Sequence, residues 1–293
     1  MKRIIILIFA CVALISCEPV SDSQTNLKAD TSQGLCVKCK LRGSNQSSKS
    51  NDDVTTRAVE SVTGNVKKIA IALLDAQKNV VNVVRQNENE TDFGKININC
   101  EPGTYTLLCV GSNSDVDVTV ANGGIISFDG NKIKDCFCHC QDVTVYKNKR
   151  KSVTSTMNRC VTRLRLESNE TIPSDVAFMN VSLGGVSTKY DVVNGCGIDT
   201  GTLEKKDIDL SALAGAKLDI NIYAFLPQAD NKVNADIEFV DANKANLYSL
   251  TLSDFLMQPN TESFFNGDMF INGGADGDIT LNTDWNTPIS ITQ

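Results

Sequence analysis

No stretch of this chain carries a long apolar stripe at helical spacing, and that most restricts what it can fold into. From Val66 onward it is a series of short β-rich runs divided by turn residues. VKKIAIALLD (Val66 to Asp75) and VVNVVR flank a polar turn, and KININC alternates apolar and polar residues at the strand period of two. Pro102-Gly103 then turns the chain into TYTLLCVG. DVDVTV, GIISF, DVTVY and RCVTRLRLES follow. The last puts Cys160, Thr162, Leu164 and Leu166 on one face, and Val161, Arg163 and Arg165 on the other. A second series runs through DVAFMNVSL, KLDINIYAFLP and the hairpin ADIEFVDANKANLYSLTL, with DANK as its turn. SFFNGDMFING, GDITLN and a tail bearing Trp285 complete it. LSALAGAKL (Leu210 to Leu218) is the single short helical candidate. Many short strands at regular spacing predict an all-β protein of two β-sandwiches in tandem. The expected divisions are 58–166 and 167–293.

The chain begins differently. Lys2 and Arg3 precede twelve apolar residues, Ile4 to Ile15. A spanning helix needs about 20 residues, so this run fits a signal peptide, residues 1–16. It ends on Leu14-Ile15-Ser16-Cys17, which resembles a bacterial lipobox, in which the cysteine thiol is alkylated by a diacylglycerol. Cys17 is therefore the expected lipidation site, and several acyl chains give stable anchoring where one is marginal. Residues 17–57 are rich in Ser, Asn, Thr, Asp and Lys and sparse in apolar residues, and read as a flexible tether.

Without Lys2 and Arg3 the processed chain keeps 26 of its 28 basic residues against 35 acidic ones, a net charge of −9. That argues against nucleic acid as a partner. With one histidine, His139, the sequence lacks the makings of most His-based hydrolase or metal sites. It has no P-loop, no H-E-x-x-H and no G-x-S-x-G. The expectation is no enzyme and no cofactor. DCFCHCQ (Asp135 to Gln141) has the composition of a metal site. In a strand, however, Cys136, Cys138 and Cys140 face one way and His139 the other, so no metal is expected. Nine cysteines remain besides Cys11 and Cys17. They stay open between buried thiols, as at Cys100, Cys109 and Cys160, and disulfides such as a small loop closed by Cys36 and Cys39. GGADGDIT lacks the spaced carboxylates of a calcium loop and reads as a solvated turn.

Taken together, the lipobox, the polar tether, LLDAQKNVV, PGTYTLLCVGS (Pro102 to Ser112), NRCVTRLRL (Asn158 to Leu166) and SFFNGDMFING before a Trp-bearing terminal strand resemble the fimbrillin superfamily of Bacteroidetes, components of type V fimbriae. The resemblance implies two transthyretin-like Greek-key sandwiches. It also implies a non-enzymatic role as an anchor or accessory subunit, lipid-anchored to the outer membrane and exposed at the surface, with other fimbrial subunits as partners. Length and lipobox look most like the anchor-type members; the cysteine content departs from the pattern. Shaft pilins of that family are cut by an arginine-specific protease near the end of the tether, which removes a strand and opens a groove for a neighbour's extended segment. TTRAV places Arg57 and Ala58 where such a cut would fall, giving a shaft or tip pilin as the alternative. In the tail, Ile289 and Ile291 alternate as an added strand would. Pro288 leaves Asp278 to Thr283 to close the second sandwich. A surface glycan-binding lipoprotein is a further alternative, with Trp285, Tyr223 and Tyr248 as its aromatic candidates.

Overall fold

The computed structural model describes residues 33–42, 59–228, 231–271, 276–282 and Trp285. The first half contributes β1 (Gly34–Arg42), β2 (Val59–Glu60), β3 (Lys68–Leu74), β4 (Val80–Asn87), β5 (Lys95–Ile98), β6 (Gly103–Ser112), β7 (Val118–Ala121), β8 (Ile125–Phe128), β9 (Cys136–Val145) and β10 (Arg150–Arg159). The second contributes β11 (Thr162–Thr171), β12 (Phe178–Val186), β13 (Lys189–Asp191), β14 (Cys196–Gly197), β15 (Gly201–Asp209), β16 (Lys217–Ala224), β17 (Asn231–Val240), β18 (Asn246–Met257), β19 (Glu262–Asp268) and β20 (Asp276–Asn282). The fold is all-β, as the strand pattern predicts.

Two sandwiches repeat one plan. In the first, β4-β3-β6-β9 form one sheet, and β1 lies in the other between β5 and β10. In the second, β15-β12-β17-β18 face a sheet in which β11 lies between β16 and β19. In each, the first strand pairs antiparallel on one side and parallel on the other. For β1 these neighbours are β5 and β10, and for β11 they are β16 and β19. The copies differ at one edge: β20 lies antiparallel on the outer side of β19. β10 instead bends at its end to pair with β9 through Asn158 and Arg159, joining the two sheets of the first sandwich at a corner.

Alternation fills both cores. Leu35, Val37, Cys39 and Leu41 of β1 meet Ile69, Ile71, Leu73, Leu107 and Cys109 across the first sandwich. The opposite face of the same β3-β6-β9 layer carries Ala70, Ala72, Leu108, Val110, Cys136 and Cys138, and belongs to the larger core of the second half. This doubly buried layer explains why IAIALL and LLCV read as continuous apolar runs rather than alternating ones. The hairpin β17–β18 turns at Asp241, whose carboxylate accepts from the backbone N–H of Asn243 and Ala245. Lys244 supplies the positive φ of 68° in that turn.

Three expectations need correction. Part of the segment read as tether, Gly34–Arg42, is a buried central strand. The boundary at residues 166 and 167 cuts β11, which runs unbroken because Leu164 and Leu166 both enter the second core. The halves also share a small sheet, in which β8 pairs with β13 through Ser127 and Lys189. The helical candidate reduces to a 3-10 turn at Ser211–Leu213, followed by β16. A nine-residue segment holding Gly215 at a φ of 80° has too few helical hydrogen bonds to offset nucleation.

Candidate functional site

β1 is held on both edges although residues 43–58 separate it from β2. It runs parallel to β10 from Gly34 opposite Arg150 to Leu41 opposite Met157. On its other edge it pairs with β5 over Leu35 to Lys38 and with β2 at Leu41 and Arg42. Its inner side chains are almost wholly buried, Leu35 and Val37 at 0% exposure. Gly34 opens the strand at a φ of 120°, and a Cβ there would sit 2.2 Å from the Ile98 carbonyl oxygen. Only glycine lets the chain enter so close to β5. Arg150 latches this end: its guanidinium donates to the carbonyls of Gln33 (3.1 Å) and Leu35 (3.3 Å) and to Oδ1 of Asn99 (2.7 Å). At the other end the Cys39 N–H donates to the Gly94 carbonyl at 2.8 Å.

Four polar or polarisable side chains meet beneath that second end. Cys39 is opposite Ser155 in the β1–β10 register, and Cys109 is opposite His139 in the β6–β9 register. His139 Nδ1 and Ser155 Oγ are 3.0 Å apart, bridging the two sheets. The neighbouring Cys109 thiol, together with burial, pushes the Cys39 thiol far above the usual thiol range. Desolvation, with Arg42 nearby, holds the half-buried His139 below its ordinary value, so the ring is neutral near pH 7. Ser155 is fully buried, and a nucleophile out of reach of substrate has no use for its histidine.

A second cluster lies at the seam of the sandwiches. Arg159 is bidentate to buried Asp135 at 2.7 and 2.9 Å and lies 4.1 Å from the centre of the Trp285 ring. Arg163, paired with buried Glu262, covers the same ring at 4.5 Å. Arg159 also donates to the Trp285 carbonyl at 3.2 Å. Residue 285 is thus clamped between two arginines, one from each sandwich. RCVTRLRLES predicted the placement of Leu164 and Leu166; the burial of Arg163 on the other face required a partner from β19, remote in sequence.

Cys17, Arg57, Ala58, Ile289 and Ile291 lie outside the described residues. Cys136 and Cys138 face the second core while His139 faces the first sandwich, the split that alternation predicts. Among the described residues no group of three or more His, Cys, Asp or Glu is arranged to hold a metal ion. Cys109 and Cys160 are buried; Cys100 is half-buried. Cys36 and Cys39 cannot close a small loop, because strand alternation sends them to opposite faces. Of the aromatic candidates for glycan binding, Trp285 and Tyr223 are buried, and Tyr248 is half-buried and packs edge-on against Phe270. Sequence reasoning missed β1, although Leu35, Val37, Cys39 and Leu41 alternate with Lys38, Lys40 and Arg42, a strand signal inside a polar composition.

No family model matches the chain, and no curated protein matches it. Solved structures do. A candidate polysaccharide-binding protein of Bacteroides thetaiotaomicron is 11% identical with a TM-score of 0.51, covering 86% of this chain and 96% of its own. A candidate cell adhesion protein of Parabacteroides distasonis is 8% identical at a TM-score of 0.50, covering 86% and 97%. Another candidate cell adhesion protein, from Bacteroides ovatus, is 16% identical at 0.48 and covers 86% and 97%. The likeness is one of fold.

Proposed function

We propose that this chain is a non-enzymatic cell-surface lipoprotein that acts in adhesion as a subunit of a type V fimbria, anchored to the outer membrane through Cys17. The observation that carries the reading is the position of β1. It is the first strand of its sandwich, it follows the lipobox closely, and it precedes Arg57. A lipid on Cys17 would thereby be tied to a core strand rather than to a loose tail, which suits an anchor or accessory subunit that bears load. The names of the fold neighbours, adhesion and polysaccharide binding, agree with a surface role. The burial of Trp285 and Tyr223 weighs against glycan binding through those rings.

The same observation favours one second reading. A cut after Arg57 would part β1 from the body and open a groove floored by Ile69, Ile71, Leu107 and Cys109 between β5 and β10. An extended segment of a neighbouring subunit, for which Ile289 and Ile291 are candidates, would restore the lost ladder. The mass of the protein from its native membrane separates the two. An acylated N-terminus at Cys17, abolished together with membrane retention by Cys17→Ser, is the anchor result. An N-terminus at Ala58 is the pilin result. A variant retained in the membrane as firmly as the parent would refute lipid anchoring.

A further inference from the structure

We propose that Cys39 and Cys109 are a disulfide site that fastens β1 into the first sandwich. Both thiols are buried, at 4% and 0% exposure, in the same core and on its two facing sheets. Three separate links fix the placement. Ser155 neighbours Cys39 across β1 and β10. Ser155 reaches His139 across the sandwich at 3.0 Å. His139 neighbours Cys109 across β9 and β6. These links set Cys39 and Cys109 across the same core from one another. On the proposed reading of residues 1–16 as an export signal, the chain reaches an oxidising compartment, where such a pair has a fate other than staying reduced.

The other close thiols differ in what a link would do. Cys160 faces Cys136 across the end of the β10–β9 ladder, where the Cys160 N–H already donates to the Cys136 carbonyl at 2.9 Å. A bond there would join neighbours that the ladder already holds. A Cys39–Cys109 bond joins an otherwise separable strand to the centre of the facing sheet. It also spans Arg57, which lies between the two residues in sequence.

In the closing reaction a disulfide-bearing thiol oxidoreductase accepts two electrons and two protons. The two S–H bonds break, one S–S bond forms in the protein, and the oxidant leaves as a dithiol. The Cys39 thiol is strongly held in its protonated form once buried, and the thiolate is the reactive species. The bond therefore forms before β1 closes over Cys109, or when β1 is briefly open. On the reading that β1 is the strand released by a cut after Arg57, the consequence is a redox lock. The oxidised chain keeps β1 after the cut, and the reduced chain can exchange it.

The test uses the full chain exported with its own signal, with free thiols alkylated under denaturing conditions. Peptide mapping without reductant should recover the Cys39 and Cys109 peptides as one linked species that separates on reduction. Recovery of both peptides with an alkyl group on each cysteine would overturn the proposal. An arginine-specific protease then addresses the lock. On a denaturing gel without reductant, the fragment ending at Arg57 should stay with the body in the parent and separate in Cys109→Ala. Separation in the parent would again overturn the proposal. A chain left uncut at Arg57 that still yields the linked peptides supports the disulfide and counts against the processing reading alone.

Discussion

The two sandwiches share a strand plan but close it in different ways. In the second, β11 follows β10 after two residues, its parallel partner β19 is covered by β20, and Trp285 is clamped by Arg159 and Arg163. In the first, the equivalent strand β1 is separated from β2 by residues 43–58, and β10 has no counterpart of β20 among the described residues. Both strands are buried to the same degree, so burial does not distinguish them. Connectivity does: β11 follows β10 after two residues, whereas residues 43–58 separate β1 from β2. A strand can thus be fully integrated in a core and still be joined to it differently from its counterpart.

The largest expected effect contrasts two leucines. Leu164→Ala in β11 and Leu35→Ala in β1 each remove a fully buried side chain, with a cost of about 2–5 kcal/mol. The β11 variant should lower the main thermal transition. The β1 variant should instead speed hydrogen exchange and proteolysis of residues 34–42 while the second sandwich keeps its protection. Equal loss of protection throughout both variants would erase the distinction between the sandwiches.

A smaller effect concerns pH. His139, the single histidine, belongs to the first sandwich, and burial holds it below the ordinary value of 6.5. The unfolded chain therefore binds the proton more readily, so stability is present above that value and is lost as pH falls below it. His139→Asn should flatten the decline in melting temperature between about pH 7 and about pH 5. An unchanged slope would mean that the imidazole does not report on the packing beneath β1.

How much of this was legible beforehand follows from range. Period-two alternation and turn residues are local, and they disclosed β3, β6, β11, the β17–β18 hairpin and the all-β class. The alternation of Leu35, Val37, Cys39 and Leu41 was equally local, but lysines on its outward face and polar flanks submerged it in a disordered composition. The β10 strand, RKSVTSTMNR, was hidden for a related reason: only Ser155 and Met157 in it are buried, so its composition is largely polar. The cluster of Cys39, Ser155, His139 and Cys109 and the Trp285 clamp join residues from remote strands, and only the sheet register brings them together. Cys17, Arg57, Ala58, Ile289 and Ile291 depend on motif and resemblance alone.

The two readings divide on whether β1, unlike β11, becomes exchangeable once the chain is cut after Arg57. The direct measurement starts from full-length protein kept reduced and cut after Arg57, to which a fluorescent peptide of residues 33–42 is added. Incorporation of the peptide with loss of the native fragment, seen only after the cut, is the predicted result. A peptide of residues 162–171, the β11 sequence, should not enter under the same conditions. A cut chain that takes up neither peptide, or an uncut chain that takes up the β1 peptide equally well, would contradict the account.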